Sequence, residues 1–420
     1  MKALVAIGLA GTVLRVLYTV ALAQHVDLGI TDASFYRAAA NLLADGEGYV
    51  DLWRSFEEGQ TARTAHHPPG WPALLSLSSL LGFDTELAHR IVGAAIGGLV
   101  VVAVGLLARR LAGQAAGIAA AAIAAVHPTL VAADGSLMSE TLAGLLVLGL
   151  VALGLRVART PTMEWTVALG AGIGLAALVR GEGLLHLGLI GLPVALAVGR
   201  RARRPAPAGA RVLALVVVGT VAVIAPWTIR NAVVLGSPIL ISTNDSTVLA
   251  GANCESSYQG PGIGGWDLGC VQRGGGDEIA DADAWRQQGL DHIRQNVDRL
   301  PAVVAARVLR TWGAWAPLDA DAEGRHEGTQ RAGNLAWLAV LLPAGTAGAI
   351  VLARRGRRLE LVLLCAPVAA GTIVSVLGFG MLRFRHPIEL SAVVLSGVAV
   401  DAALRRWRPV ASRDAAVLRS

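Results

Sequence analysis

Ten apolar stretches divide the chain, and most approach the length of about 20 residues that a membrane-spanning helix needs. They cover roughly residues 4–24, 88–108, 112–130, 138–156, 164–179, 183–199, 211–229, 332–353, 360–379 and 388–404. Several are short or rich in glycine, and the fifth and sixth are the least sharply bounded. The pattern predicts an all-α polytopic membrane protein with about ten transmembrane helices.

Two long polar segments interrupt the apolar pattern, and both are too polar to lie in lipid. The first covers about 25–87. It is predicted to hold a helix at the membrane interface, Phe35 to Leu43, and a second helix that begins at the Pro68-Pro69 turn. Proline suits the first turn of a helix, which places that start at the turn.

The second polar segment changes character along its length. It opens with an irregular, glycine-rich part, Gly260 to Gly276, and continues with a predicted amphipathic helix, Ala282 to Leu300, that Pro301 ends. The next run, VVAARVLRTWGAWAP, combines arginines with Trp312 and Trp315. This combination favours a helix at the membrane interface, and an ordinary buried helix is the alternative.

The predicted organisation therefore has four parts. Residues 1–231 form a membrane domain with the first seven helices and the loop 25–87, and residues 232–331 form a large extracytoplasmic loop region. Residues 332–410 hold the last three helices, and residues 411–420 form a cytoplasmic tail.

Composition supports an integral membrane protein. Of the 420 residues, 54% are hydrophobic and only 16% are charged, with a mean hydropathy of +0.57, whereas soluble domains carry about 25% charged residues. The net charge of +6 could suggest a nucleic-acid partner. The arginines instead cluster in short loops between apolar stretches, as the positive-inside rule requires, so we expect no nucleic acid.

The arginine clusters also give an orientation. With a cytoplasmic N-terminus, every cluster falls on the cytoplasmic side, which supports an even number of spans with both termini inside. The clusters are Arg109-Arg110, Arg156 with Arg159, Arg200 to Arg204, Arg354 to Arg358, and Arg405 to Arg408. The sequence thus predicts a multi-pass protein of the inner or plasma membrane, with both polar segments on the extracytoplasmic side.

Several charged residues depart from this rule, and all of them fall on the outer side. They are Arg230 in APWTIRN, Arg383 and Arg385 in GFGMLRFRHPIEL, Arg180 and Glu182 in a short turn, and Glu140 in LMSETL. Asp32, His66 and His67 of the first loop share that side. Charges at the lipid boundary are disfavoured unless they have a use. Snorkelling or paired structural ions are the alternative for each one taken singly.

Such a set could act on a sugar attached to a lipid phosphate. Arginine offers bidentate contacts that neutralise a phosphate leaving group, and a helix starting at Pro387 would point its positive end at the outer face. Glu389 would either weaken that field or hold Arg385 at i,i+4. One positioned carboxylate, Asp32, suffices as base for a single displacement with inversion.

Five motifs, in this order, resemble the C-type glycosyltransferases over nearly the whole chain. They are Asp32 with Tyr36 after the first helix, HHPPGWP at 66–72, LMSETL at 137–142, PWTIRN followed by STND at 226–245, and LRFRHPIEL at 382–390. Within that class the chain most resembles the protein O-mannosyltransferase and aminoarabinose-transferase branch in a bacterial, actinobacterial form.

The resemblance implies a hexosyl or pentosyl donor linked to polyprenyl phosphate and transfer outside the cytoplasm, with Asp32 as the catalytic carboxylate. It places His66 or His67 near the donor phosphate or a metal, and it makes Arg383 and Arg385 phosphate candidates. Tyr36 and Arg230 join these donor-site candidates, and Glu140, Arg180, Glu182, His386 and Glu389 are further site candidates. Ala33 stands where many relatives have a second acid, and His67 where the aminoarabinose transferases have a lysine.

Several alternatives stay open. A divalent metal could bind His66 and His67 with Glu57 or Glu58, and the acceptor could be a glycan, a lipid or a protein. Cys254 and Cys270 are expected to form a disulfide in an oxidising compartment, with two free thiols as the alternative, and Cys365 is expected in the core. A transporter or flippase of a lipid-linked sugar would instead need ionisable residues inside the membrane and an internal repeat; Arg15 is the main charge within a predicted span.

Overall fold

The computed structural model describes residues 1–29, 31–51, 54–55, 59, 61–202, 204–274, 276–318 and 325–407. The tail 411–420 and the candidate metal ligands Glu57 and Glu58 lie outside these residues.

Over the described ranges the fold is helical, and its only β-type pairing is one isolated bridge between Val50 and Arg63. The α-helices are α1 Lys2–Ala21, α2 Asp32–Ala44, α3 Gly70–Ser79, α4 Glu86–Ala112, α5 Gln114–Val126, α6 Pro128–Asp134, α7 Glu140–Arg159, α8 Met163–Val179, α9 Leu192–Arg201, α10 Pro205–Leu235, α11 Asn244–Ala252, α12 Glu255–Tyr258, α13 Glu278–Gln295, α14 Leu300–Thr311, α15 Glu327–Ala336, α16 Leu342–Arg354, α17 Arg358–Leu377 and α18 His386–Trp407. Short 3₁₀ turns cover Ala23–His25, Gly181–Leu185, Gly260–Gly262, Leu268–Cys270, Val297–Arg299 and Leu382–Arg385, and π turns cover Leu187–Gly191 and Trp337–Leu341.

Each of the ten predicted spans falls on a helical segment. Within the described ranges, eight helical stretches are long and apolar enough to cross a membrane. The third predicted span is a pair, α5 and α6, bent by 62°, and the fifth is the 17-residue helix α8. The all-α polytopic fold is therefore confirmed, and the number of crossings stays a prediction.

The core lies between the apolar helices. One large cluster joins residues of α4, α5, α7, α8, α10, α16, α17 and α18, while many leucines and valines on the outer faces stay exposed, among them Leu9 and Val218. Helices α8 and α10 approach closely at Gly170 and Gly219, where a Cβ atom would meet the backbone of the facing helix. Small residues at such contacts let membrane helices pack through their backbones.

The first loop is fixed to the membrane helices by hydrogen bonds. The indole of Trp71 donates to the carbonyl of Leu137 over 2.9 Å, and the hydroxyl of Tyr49 donates to the carbonyl of His67 over 3.1 Å. Arg230 of α10 donates to the carbonyls of Thr64 and Tyr49 over 2.6 and 3.1 Å. The Trp71 and Arg230 bonds hold the loop against the turn before α7 and against α10, and the Tyr49 bond joins two parts of the loop itself.

The second polar segment differs from the prediction at both ends of its amphipathic helix. Helix α13 starts at Glu278, before the predicted Ala282, and ends at Gln295, before the predicted Leu300. Pro301 lies in the first turn of α14 instead of ending the preceding helix. Proline is tolerated in a first turn because its missing N–H has no helical partner there. On α14, Val303, Ala306 and Arg307 are buried, whereas Leu309 is exposed.

The predicted disulfide is confirmed, and the expectation for the third cysteine was wrong. Cys254 and Cys270 are bonded, with Cα atoms 6.4 Å apart. Cys365 is exposed on α17. A short apolar side chain within an apolar helix does not reveal which face it occupies.

Candidate active site

A cavity of about 880 Å³ lies between the first loop, the second polar segment and the ends of the membrane helices that adjoin them. Seven of the predicted site residues line it, namely Asp32, Tyr36, His66, His67, Arg180, Glu182 and Arg383. A smaller cavity of about 40 Å³ adjoins it at Arg180 and Arg383 and is also lined by Glu140. The structure thus brings most of the charged residues that were predicted to share one side of the membrane to one place.

Asp32 is the first residue of α2, after the N-cap residue Thr31. The hydroxyl of Ser34 donates to the carbonyl of Thr31 over 2.8 Å and accepts the amide of Thr31 over 3.1 Å, which fixes the helix start. A helix N-terminus favours a negative charge through its dipole. The side chain of Asp32 is 24% exposed and lines the cavity, so it is reachable from there.

Two groups from distant parts of the chain face the Asp32 carboxylate. Arg383 Nη2 donates to Asp32 Oδ2 over 2.8 Å, and His67 Nε2 lies 3.7 Å from Oδ1. Arg383 comes from the 3₁₀ turn before α18, and His67 from the prolyl turn before α3. These contacts bring the turn before α18 and the first loop together at one cavity.

A second arginine joins this group. Arg180 follows α8 directly, and its guanidinium lies 2.9 Å from Glu140 Oε1 and 2.5 Å from Glu182 Oε1. Glu140 Oε1 also lies 3.8 Å from Arg383 Nε. Two guanidinium groups therefore lie side by side, joined by the buried Glu140 carboxylate.

Protonation states follow from burial and these charges. Burial would raise the pKa of Asp32, but Arg383, His67 and Arg180 together hold this pKa well below its usual range. Burial lowers the pKa of His67 to about 3 although Asp32 opposes that shift. Burial, with the Asp32 carboxylate adding to it, raises the pKa of Tyr36 well above its usual value. Near neutral pH the site holds an ionised aspartate, a neutral imidazole and a neutral phenol.

Aromatic contacts fix the position of His67. The centroid of its ring lies 4.6 Å from Phe35, 5.3 Å from Tyr36 and 4.6 Å from His66. Phe35 and Tyr36 belong to α2, so the same helix supplies Asp32 and the packing that holds the facing imidazole.

Four predicted site residues lie elsewhere, because none of them lines either cavity. Arg385 is buried, donating to Glu389 Oε1 over 2.7 Å and to Asn334 Oδ1 over 2.6 Å. This confirms the i,i+4 pair of Arg385 with Glu389 but turns Arg385 away from Asp32. His386 is buried beside Gly144, and Arg230 is engaged with the first loop.

The sequence reading missed one wall of the large cavity. It is formed by the first loop and the second polar segment and includes Asp51, Arg54, Asn244, Asp245, Trp266, Arg273, Glu278 and Trp285. Arg54 pairs with the buried Asp281, and Arg273 lies 3.6 Å from Asp51, so ion pairs join the two segments. Polar residues in polar segments carry no pattern that singles them out, and their pairing is visible only in three dimensions.

The described residues contain no group of three or more His, Cys, Asp or Glu side chains placed to hold a metal ion, and the candidate ligands Glu57 and Glu58 lie outside them, so the metal alternative stays untested. The adjacent rings of His66 and His67 are inclined by 76°.

Comparison with known proteins agrees with the resemblance seen in the sequence. Residues 66–227 match the family of dolichyl-phosphate-mannose-protein mannosyltransferases. No curated protein matches the chain in sequence. The fold is similar to solved structures of an archaeal oligosaccharyltransferase, in agreement with the fold that the sequence resemblance implies; nothing in these matches supports an actinobacterial origin.

Three solved structures are among the matches, and the two with a TM-score above 0.5 carry the similarity of fold. The archaeal oligosaccharyltransferase AglB from Archaeoglobus fulgidus, in complex with an inhibitory peptide and a dolichol-phosphate, has a TM-score of 0.58 at 17% identity over 96% of this chain and 50% of that chain. The oligosaccharyltransferase of the same organism in its apo form gives 0.59 at 16% identity over 99% and 52%. ArnT from Cupriavidus metallidurans, bound to undecaprenyl phosphate, gives 0.47 at 16% identity over 94% and 78%. The chain spans about half the length of the oligosaccharyltransferases.

Proposed function

We propose that the protein is an inverting glycosyltransferase that moves a sugar from a polyprenyl-phosphate-linked donor to an acceptor hydroxyl outside the cytoplasm. Asp32 accepts the proton of the acceptor hydroxyl, and Arg383 with Arg180 binds the donor phosphate. One observation carries the proposal: a carboxylate and two guanidinium groups face the same cavity, at the ends of the membrane helices that adjoin the two polar segments. The family match and the dolichol-phosphate in the AglB structure give it further support.

The reaction forms one bond and breaks one bond at the anomeric carbon, and it moves one proton from the acceptor hydroxyl. The acceptor oxygen forms a bond to this carbon from the side opposite the phosphate, so the configuration inverts. The bond from carbon to the phosphate oxygen breaks, and its electron pair leaves with the phosphate. The hydroxyl proton passes to the carboxylate of Asp32, which acts as general base. Arginines suit the leaving group because their planar forks contact phosphate oxygens in pairs.

The ion pair between Asp32 and Arg383 links donor binding to base strength. Without donor, Arg383 lowers the pKa of Asp32 and makes its carboxylate a weak base. A phosphate that draws the Arg383 guanidinium to itself removes part of this effect, because the favourable charge partner of Asp32 is then shared. Asp32 therefore becomes a stronger base only when the donor is in place.

Charge asymmetry supports the outer side for this chemistry. The arginine clusters at 109–110, 156–159, 354–358 and 405–406 lie at the helix ends opposite Asp32, as a cytoplasmic surface requires. We infer that both termini are cytoplasmic and that the cavity opens to the extracytoplasmic side.

The alternative of a flippase has one observation in its favour. Arg15 and Asp134 form a buried ion pair within the apolar helices, and Arg15 also donates to the carbonyls of Ala124 and Ala125. Neither residue lines the cavities described above. A pair enclosed in this way stabilises the packing of α1 against α5 and α6 and offers no path for a lipid headgroup.

The experiment measures binding of a labelled polyprenyl phosphate to the purified protein in detergent. Arg383→Ala and the charge-conserving Arg383→Lys are compared with Arg354→Ala, which removes an exposed arginine at the far end of α16. Loss of charge-assisted phosphate contacts should weaken binding by about tenfold or more in Arg383→Ala and less in Arg383→Lys. Equal binding by all three variants would refute the phosphate site. Movement of the lipid without sugar transfer by the unaltered protein would favour the flippase.

A further inference from the structure

We propose that the wall formed by Glu278, Trp266 and Trp285 is the acceptor subsite and that the acceptor is a carbohydrate. This rests on the proposed function, because it assigns the part of the same cavity that the donor phosphate does not occupy. The cavity volume of about 880 Å³ is large among ligand pockets, which typically measure about 300–1,000 Å³. It has room for a donor sugar and an acceptor together.

Glu278 provides a hydrogen-bond acceptor that none of the described residues uses. The residue is the first of α13, is 7% exposed and lines the cavity. Its Oε1 accepts the amide of Ala65 over 3.0 Å and the hydroxyl of Thr243 over 2.8 Å. Its Oε2 is buried and has no hydrogen-bond partner among the residues that the structure describes. A buried carboxylate oxygen without a donor is costly, so a hydroxyl group in the cavity is the partner that fits it.

The position of Glu278 relative to the base suits an acceptor. Ala65, which bonds Glu278, directly precedes the His66-His67 turn, and His67 faces Asp32. The carboxylates of Asp32 and Glu278 therefore flank the same His66-His67 turn. Asp32 lies beside Arg383, and Glu278 belongs to the second polar segment. An acceptor bound through Glu278 would present a neighbouring hydroxyl toward Asp32.

Two tryptophans give this wall an apolar surface. The indole N–H of Trp266 donates to the carbonyl of Thr247 over 3.0 Å, and that of Trp285 donates to the carbonyl of Gln272 over 2.8 Å. With these donors engaged, the rings can offer only carbon surface to the cavity. A sugar ring combines C–H faces, which pack on such surfaces, with hydroxyl groups, which need polar partners such as Glu278 and Asn244.

A peptide acceptor fits this wall less well. Extended peptides usually bind by adding a strand to a sheet edge, where main-chain groups supply the hydrogen bonds. The part of the chain that the structure describes offers one isolated bridge and no strand near the cavity. The polar groups of the wall are side chains, as recognition of separate hydroxyls requires.

The test measures binding of two fluorescent probes to the full-length protein: oligosaccharides released from the cell-envelope polysaccharide of the source cells, and a serine- and threonine-containing hexapeptide. Glu278→Gln is the key variant, because its amide oxygen can keep the bonds to Ala65 and Thr243 while an NH₂ group replaces Oε2. Trp266→Leu removes the ring surface. Asp283→Asn, at an exposed position of α13, is the matched control.

The proposal expects the oligosaccharides to bind and the peptide not to bind. Glu278→Gln should weaken oligosaccharide binding by about tenfold, as expected for loss of a hydrogen bond to a charged group, and Trp266→Leu should weaken it as well. Both variants should bind labelled polyprenyl phosphate normally, and Asp283→Asn should match the unaltered protein in every assay.

Other outcomes overturn the inference in distinguishable ways. Binding of the peptide alone would assign a protein acceptor, and binding of neither probe, or equal oligosaccharide binding by all variants, would remove the subsite. If the unaltered protein does not bind polyprenyl phosphate, the proposed function itself fails. If it does bind this lipid, a negative oligosaccharide result removes only the acceptor assignment.

Discussion

At the scale of single residues, the site depends on how a few side chains share charge. Asp32 lies between a guanidinium, 2.8 Å away, and an imidazole, 3.7 Å away. The outward arginines and acids departed from the positive-inside rule, and this departure predicted that Asp32, Arg383, Arg180 and Glu140 would share one side. In the structure these four side chains lie together, each beside an opposite charge, and their part in catalysis stays a prediction.

Arg385 shows where residue patterns stop being informative. It lies two positions after Arg383 in a 3₁₀ turn, and residues two apart in a turn of about three residues point in different directions. Arg383 therefore faces Asp32, whereas Arg385 faces Glu389 and the ring of Trp337, 4.9 Å away. A sequence that reads RFR does not reveal the turn type, so it cannot say which arginine enters the cavity.

The pH dependence of kcat/KM follows from the residue charges. The pKa of Asp32 is lowered and that of His67 is lowered to about 3, so neither group should change protonation between about pH 5 and 8. Because folding lowers the pKa of Asp32, the ionised carboxylate adds to the free energy of unfolding. This contribution is fully present above the pKa of Asp32 in the unfolded chain, and it is lost as the pH falls through the lower pKa of the folded protein.

The variant Arg383→Gln tests this assignment. It removes the guanidinium that counteracts the effect of burial, so the pKa of the Asp32 carboxyl should rise. We expect the acid limb of its kcat/KM profile to lie at higher pH than in the unaltered protein. The profile is measured with a polyprenyl-phosphate sugar as donor. An acid limb near pH 6 in the unaltered protein, or the same limb in both proteins, would contradict the assignment of Asp32 as the base.

At the scale of elements, apolar length predicted the membrane helices well because spanning the bilayer demands a hydrophobic run of defined length. It described the irregular parts poorly. The third span is bent by 62° at Pro128, and π turns precede Pro193 and Pro343, where proline lacks the N–H of a regular helix. Hydropathy averages over such breaks and cannot detect them.

The disulfide is an element-scale device that shapes the cavity wall. It joins Cys254 and Cys270, 16 positions apart, and Trp266 lies in the closed loop. Gly264 of the same loop accepts the amide of Gly380, just before Arg383. The bridge therefore constrains a loop that contacts both the cavity wall and the segment leading to the arginine.

Replacing both bridged cysteines, as Cys254→Ser with Cys270→Ser, should lower the apparent Tm and speed proteolysis within residues 254–276. The expected loss is about 3 kcal/mol in the chain-entropy model of a loop of this size. Cys365→Ser, which alters an exposed unpaired thiol, is the control and should behave like the unaltered protein. A double variant with unchanged Tm and protease resistance would show that packing alone holds the loop.

At the scale of the whole molecule, the proposed function needs one orientation in the membrane. Two variants test it, each with one added thiol in a Cys365→Ser background. Thr160→Cys places the thiol between α7 and α8, and Asp283→Cys places it on α13. A membrane-impermeant maleimide should label Asp283→Cys on intact spheroplasts, and it should label Thr160→Cys only after permeabilisation. The reverse result would place the cavity in the cytoplasm and exclude the proposed donor side.

The most direct measurement is the rate of sugar transfer by Asp32→Asn from a labelled polyprenyl-phosphate sugar. Asp45→Asn, at the exposed C-cap of the same helix, is the control. We predict that Asp32→Asn loses about 100-fold or more of the rate, as expected when a general base is removed, while it still binds polyprenyl phosphate and folds normally. Transfer by Asp32→Asn at the rate of Asp45→Asn would contradict the account, because the cavity would then lack its base.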